Sequence, residues 1–128
     1  MKDETRQWLT YAQENRRSAE VLLESGLYNP CLQNAQQAVE KMLKALLVEK
    51  NIKIKKTHSI SELARLLKDT GAEIDISEDE CELFDSIYLP SKYPVGGMLP
   101  DYEPDKMICR QCLDIIAGIE KSVTKLIQ

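Results

Sequence analysis

The chain contains a single histidine and only seven aromatic residues among its 128 residues. One histidine excludes a carboxylate-bridged di-metal bundle, because such a site needs a Glu-x-x-His motif from each of two helices. A phosphate-binding glycine loop and the Gly-x-Ser-x-Gly elbow of hydrolases are also missing from the sequence. We therefore expect neither a metal ion nor a bound cofactor.

Long apolar runs are absent as well, and none approaches the roughly 20 residues needed to span a bilayer. The first residues, Met1 to Glu4, are not followed by an apolar signal region. This pattern predicts a cytoplasmic protein that does not enter a membrane.

Four cysteines are present, and in a cytoplasmic protein we expect them to be reduced. Cys109 and Cys112 have the C-x-x-C spacing, but they lie in a strongly helical pattern without a turn between them. Buried helix thiols are therefore predicted. The alternative is a four-thiolate metal site that also uses Cys31 and Cys81.

Capping residues in the sequence predict where the first two helices begin and end. One is predicted from near Asp3 to Ser25-Gly26, where glycine can adopt the left-handed cap conformation. Asn29-Pro30 then offers an N-cap and a first-turn proline for the second helix. That helix is predicted to reach Lys50 or Asn51, and the short connection makes the two helices antiparallel neighbours.

Two shorter helices each begin with a capping box, Ser59 to Glu62 and Ser77 to Glu80. The first of them is predicted to end at Thr70-Gly71, and Pro90 is predicted to end the second.

A long loop over residues 89–103 and a fifth helix complete the pattern. The fifth helix is predicted to begin at Glu103-Pro104-Asp105. Its apolar residues recur at helical spacing and form a bundle seam: Ile108, Cys112, Ile115, Ile119, Val123 and Leu126. The predicted fold is all-α, an antiparallel up-and-down bundle of four to five helices that forms a single domain over residues 1–128.

The second helix is apolar over most of its circumference, which is typical of a central, buried helix. One face nevertheless carries a polar stripe of Gln33, Gln37, Glu40, Lys41 and Lys44. Such a stripe faces water, a ligand or a partner chain, and it is therefore the first candidate for a functional surface.

Charge is unevenly distributed along a chain whose net charge is −4. From Lys41 to Lys68 the charge is +6, whereas from Asp69 to Asp105 it is −10. Two oppositely charged faces that attract each other would explain this pattern. The alternative is a local anion site on an otherwise acidic molecule.

Three segments, in this order, resemble the HEPN domain family, and the resemblance extends from about Asp3 to Leu126. The first is Gln36 to Leu47 of the second helix, the second is Lys56 to Ile60, and the third is Tyr88 to Pro94. The resemblance implies a four- or five-helix bundle, usually homodimeric. It also implies nucleotide binding, a gene neighbour that encodes a small nucleotidyltransferase, and pairs similar to toxin–antitoxin modules.

Some branches of the family are ribonucleases that cut RNA without a metal, and they carry an arginine followed four to six residues later by a histidine. This chain departs from that pattern, because the nearest arginine upstream of His58 is Arg17. Lys92 stands where relatives often have Arg-Tyr-Pro, and no histidine follows it. The resemblance therefore does not predict a catalytic pair here.

His58 precedes a predicted N-cap, and its ring either packs over the first turn or joins Lys56 and the first-turn amides in an anion site. Tyr93 and Tyr102 either cap the end of the bundle with their rings or stack on a base while Lys92 contacts a phosphate. Under the nucleotide-binding hypothesis the candidate residues are Gln37, Lys41, Lys44, Lys56, His58, Lys92 and Tyr93.

The leading functional hypothesis is a homodimeric, non-catalytic subunit that binds a nucleotide and pairs with a small nucleotidyltransferase. One alternative is a metal-independent ribonuclease in which His58, acting as the base, and Lys56 or Lys92 replace the usual pair. Only this alternative makes RNA a partner. The other alternative is a purely structural dimeric module whose only role is its interface.

Overall fold

The computed structural model describes residues 1–54, 56–92 and 103–127, and of residues 89–92 it describes the backbone alone. These residues form five helices: α1 (Asp3–Glu24), α2 (Tyr28–Glu49), α3 (Ile60–Lys68), α4 (Glu78–Lys92) and α5 (Lys106–Ile127). The predicted all-α bundle is confirmed. No helix of the described part is long and apolar enough to cross a membrane.

Helix α2 is the centre of the bundle, and it packs against each of the other four helices. Its antiparallel pairing with α1 follows from two contacts, since Thr5 meets Glu49 whereas Asn15, further along α1, meets Asn34, nearer the start of α2. From Cys31 to Val48 most α2 side chains are buried, as expected for a helix that is apolar on nearly every side. A polar side chain on α2 is therefore enclosed unless a neighbouring helix leaves a gap.

The predicted start of α2 was wrong by two residues. The helix begins at Tyr28, and Leu27 occupies the cap position without a side-chain hydrogen bond. Pro30 is then the third helical residue. It is tolerated there because the first-turn N–H groups have no acceptor within the helix.

The two short helices differ from their predictions at their C-terminal ends, and α3 ends at Lys68, just before the predicted Thr70-Gly71. Ser77 and Glu80 form the complete predicted capping box, each side chain accepting from the other residue's N–H at 3.1 and 2.9 Å. The prediction that Pro90 ends α4 was wrong, because the helix continues to Lys92. A proline close to a helix end costs only one backbone hydrogen bond, which leaves the last turn in place.

Helix α5 begins where the sequence places it, with Asp105 accepting a 2.8 Å hydrogen bond from the N–H of Ile108. Its buried face carries Cys109, Cys112, Ile115, Ile116, Ile119 and Val123. Leu126 was predicted to belong to this face but is 37% exposed. Ile127 packs against the core in its place.

All four cysteines are buried and free, as predicted. The Cys109 thiol lies 3.5 Å from the backbone carbonyl of Tyr28, so the start of α5 lies beside the start of α2. Among the described residues, no cluster of histidine, cysteine and carboxylate groups could hold a metal ion. The thiols therefore pack as small apolar side chains.

Candidate functional site

Three polar side chains lie one turn apart along the buried side of α2. Gln36 is 1% exposed, Glu40 4% and Lys44 7%. The Lys44 ammonium is 2.9 Å from Oε2 of Glu40, and the Gln36 amide donates to Oε1 of Glu40 at 3.2 Å. Because a buried charge is costly unless it is paired, this arrangement keeps both ions in the interior.

His58 contacts the row of Gln36, Glu40 and Lys44 from the protein surface. Its Nδ1 atom lies 3.1 Å and 3.2 Å from the two carboxylate oxygens of Glu40, and its backbone carbonyl accepts from the Gln36 amide at 3.3 Å. The His58 side chain is 51% exposed, whereas that of Glu40 is only 5% exposed. The imidazole therefore connects a buried carboxylate with the surface.

The position of His58 follows from the apolar residues around it. Ile52 and Ile54 pack against the core, and Ile60 is fully buried at the start of α3. These anchors hold the linker between α2 and α3 across the side of α2 and place His58 opposite Glu40.

Aromatic rings from two other helices flank the row. The imidazole of His58 stacks on the ring of Tyr88 from α4, with centroids 4.7 Å apart and planes inclined by 18°. On the other side, the Lys44 ammonium lies 5.7 Å from the centroid of the Trp8 ring of α1, within the range of a cation–π contact. We use the name Glu40 cluster for Gln36, Glu40, Lys44, His58 and Tyr88.

Gln37 and Lys41 of α2 are half-buried and lie outside this row. Gln37 donates to the Gln36 side chain at 2.8 Å, and Lys41 donates to Oδ1 of Asn15 on α1 at 2.6 Å. The polar stripe predicted from sequence is therefore two rows. One is buried against His58, and the other contacts α1 through Lys41.

The first turn of α3 already holds an anion that the protein supplies itself. Asp85 of α4 accepts from the backbone N–H groups of Ile60 at 2.6 Å and Ser61 at 3.3 Å. The hydroxyl of Ser61 also donates to Asp85, at 2.7 Å. The anion site suggested for these amides with His58 and Lys56 thus has its amide donors occupied by Asp85.

The structure brings only some of the predicted site residues together. Lys44 and His58 belong to the Glu40 cluster, while Gln37 and Lys41 border it. Lys56 is exposed on the linker. Lys92 is the last residue of α4, where only the backbone is described, and Tyr93 lies outside the described residues.

Sequence reasoning did not place Gln36, Tyr88 or Asp85 at the site. Gln36 had a signal, because Gln36, Glu40 and Lys44 recur at a spacing of four residues and must share one face of a helix. Tyr88 and Asp85 reach the site through the packing of α4, which no local pattern reveals.

Comparisons with known proteins agree on one family. The model described as "HEPN domain" matches residues 5–126. No curated protein matches the chain.

Three solved structures share the fold. TT1696 from Thermus thermophilus is 28% identical, with 97% of this chain and 98% of that chain covered and a TM-score of 0.78. ST0689, an archaeal HEPN homologue, is 26% identical over the whole of both chains, with a TM-score of 0.71. A HEPN domain protein from Thermotoga maritima is 24% identical, covers 92% of each chain and has a TM-score of 0.55.

Proposed function

This chain belongs to the HEPN domain family, and on that premise we propose that it is a nucleotide-binding subunit without catalysis of its own. It forms a homodimer and acts with a small nucleotidyltransferase in a pair that resembles a toxin–antitoxin module. The observation that carries the proposal is the Glu40 cluster, in which a buried row of polar groups opens to the surface at His58.

A buried ion pair is weak evidence for stability, since apolar residues of similar volume are often as stable or more so. Glu40 and Lys44 occupy the central helix of the bundle, where such residues would pack well. Their presence behind the exposed imidazole of His58 supports a binding role.

The groups around this opening suit a nucleotide. The stacked rings of His58 and Tyr88 offer an aromatic surface for a base, and the Gln37 amide can pair with a base edge. Lys53 and Lys56 are exposed on the linker that carries His58, where they can meet phosphates. The linker lies within the segment of charge +6, which attracts anions to this side of an acidic protein.

Isothermal titration with ATP, GTP, AMP and GMP tests the proposal. We expect heat of binding for at least one nucleotide, and at least tenfold weaker binding after His58→Ala or Lys56→Ala. Lys125→Ala is the matched control, because it removes the same charge from the last turn of α5 and should leave binding unchanged. If no nucleotide gives heat while the protein remains folded, the nucleotide-binding proposal is wrong.

The assembly is tested separately. Light scattering coupled to size exclusion is expected to give twice the mass of the 14.6 kDa chain. Co-expression with the product of the adjacent gene is expected to yield a stable complex when that gene encodes a nucleotidyltransferase. A complex together with no nucleotide binding would favour the purely structural module.

A metal-independent ribonuclease is the second candidate, and one observation favours it. Glu40 contacts Nδ1 of His58, as a carboxylate does when it orients a histidine for proton transfer. The purified protein should then cut RNA in the presence of EDTA, and His58→Ala should abolish the cleavage. Cleavage that survives this substitution rules out His58 as the base.

A further inference from the structure

We infer that Glu40 accepts a hydrogen bond from Nδ1 of His58 and so leaves Nε2 of His58 as an acceptor. This Nε2 atom then binds a donor group of the nucleotide. That donor is either a ribose hydroxyl or an exocyclic amino group of the base. The inference rests on the proposed nucleotide binding and adds the chemistry by which the site recognises its ligand.

The tautomer of His58 follows from the contacts of one ring nitrogen. Nδ1 lies 3.1 and 3.2 Å from the two oxygens of Glu40. An ionised carboxylate can only accept hydrogen bonds, so Nδ1 must carry the hydrogen. The Lys44 ammonium also donates to this carboxylate, at 2.9 Å, so Glu40 acts as an acceptor toward its other partner as well. In the neutral imidazole the lone pair then lies on Nε2.

The orientation of the ring is fixed on two sides. Glu40 holds its Nδ1 edge, and the ring of Tyr88 covers one face at 4.7 Å. The His58 side chain is still 51% exposed, so the imidazole remains accessible to a ligand. A preorganised acceptor of this kind loses little conformational freedom on binding.

Four donors near His58 bind the protein's own carboxylates. Lys44 and Gln36 donate to Glu40, and the first two amides of α3 donate to Asp85. A phosphate at the Glu40 cluster would have to displace a carboxylate from these partners. The cluster is therefore better suited to a hydroxyl or amino group, while the exposed lysines of the linker are left for phosphates.

Titration with modified nucleotides tests the inference on the unaltered protein. For the nucleotide that binds, we compare the 2′-deoxy form, the 3′-deoxy form and a form without the exocyclic amino group. One of the three should bind roughly three- to tenfold more weakly, as expected for the loss of one hydrogen bond. The weakened analogue identifies the hydroxyl or the amino group as the donor.

The two proposals fail differently in this experiment. In one outcome the parent nucleotide binds and each of the three analogues binds with the same affinity as the parent. Nucleotide binding then stands, and the inference about Nε2 of His58 is overturned. If the parent nucleotides do not bind, the proposed function and the inference fall together.

A spectroscopic test of the tautomer needs no ligand, because His58 is the only histidine and gives one set of imidazole signals. Nitrogen-15 shifts of the neutral ring should show the hydrogen on Nδ1. Glu40→Gln should move the population toward Nε2–H, whereas Glu73→Gln, a matched change at an exposed loop residue, should not. A wild-type ring with its hydrogen on Nε2 overturns the inference even where the Glu40 variant does not fold.

Discussion

The carboxylate of Asp85 on α4 accepts a 2.6 Å hydrogen bond from the backbone N–H of Ile60, the first residue of α3. The same carboxylate accepts from the N–H and the hydroxyl of Ser61. Ser59 caps the next free amide, that of Glu62, at 3.2 Å. The start of α3 is thus capped by its own N-cap residue and by a second helix.

Replacing Asp85 should therefore weaken the tertiary structure as well as the helix. We expect Asp85→Ala to lower the free energy of unfolding by about 1–3 kcal/mol, because it removes a helix cap and leaves partly buried donors unpaired. Urea denaturation followed by circular dichroism measures the effect. Asp114→Ala, at an exposed position in α5, is the control and should change stability by less than about 0.5 kcal/mol. Equal stabilities of the two variants would contradict the proposed double cap.

The buried pair of Glu40 and Lys44 should be more costly to break than to replace. Glu40→Leu alone leaves the Lys44 ammonium without its buried partner, and we expect it to lower the free energy of unfolding by about 3–5 kcal/mol. Adding Lys44→Met removes that unpaired charge and should restore at least half of the loss. Guanidinium denaturation of both variants measures the difference. A double variant that is less stable than Glu40→Leu would show that the unpaired Lys44 charge does not cause the loss of stability in Glu40→Leu.

The buried thiols should make the protein less stable at alkaline pH. Burial raises the pKa of Cys112 and of Cys109 from 9.0 to about 12. In the unfolded chain these thiols ionise near pH 9, whereas in the folded protein they keep their protons. Their contribution to stability is therefore complete below pH 9 and declines between pH 9 and pH 12.

This decline can be separated from the titration of other groups. The urea midpoint is measured at pH 8 and pH 10.5 for the wild-type protein and for Cys112→Ala. We expect the midpoint of the variant to fall less over this interval, because one of the responsible thiols is absent. The native thiols should also react slowly with Ellman's reagent at pH 8, since the thiolate is the reactive form.

The start of α1 should loosen in acid. Glu49 of α2 accepts from the N–H of Lys2 at 3.0 Å and from the hydroxyl of Thr5 at 2.8 Å. These hydrogen bonds, the Lys2 bond first, lower the pKa of the Glu49 carboxyl below 4.5. A lowered pKa means that the stabilisation is complete well above pH 4.5 and is lost as the pH falls through that value toward the folded pKa.

Hydrogen exchange of two amides reports this contact: that of Lys2, which donates to Glu49, and that of Arg6, which donates to the carbonyl of Lys2. After correction for intrinsic rates, their protection should decrease in the wild-type protein between pH 6 and pH 4. Glu49→Gln should show low protection at both values, whereas Glu24→Gln, at the exposed end of α1, should behave like the wild type. Identical protection in all three proteins would contradict the role of Glu49.

Much of the fold could be predicted because its signals are local. Ser77, Asp105 and Gly26 mark helix ends through contacts within a few residues, and the structure has helix ends at each of them. The predicted start of α2 and the predicted end of α4 were wrong because the rule that a proline marks a helix boundary allows exceptions near helix ends. Pro30 and Pro90 both lie inside helices, because a proline near a helix end removes few backbone hydrogen bonds.

The candidate site was only partly predictable for a related reason. The position of Lys44 and Glu40 on one face follows from helical spacing, and the structure places both in the interior. That this face meets His58 depends on how the linker packs, and the stacking of Tyr88 depends on where α4 crosses α2. Neither relationship is encoded by residues close together in the sequence.

The polar row of α2 also has a consequence for how the chain assembles. Helices α1 and α2 are neighbours in sequence and pack extensively, so they can pair early, before any distant segment has arrived. In that hairpin Glu40 would still lack His58, whose ring and carbonyl come from beyond α2. A misplaced linker would leave a charge in an apolar interior with too few partners. The row therefore favours the correct register, because Glu40 gains the His58 imidazole as a further partner only when the linker docks against α2.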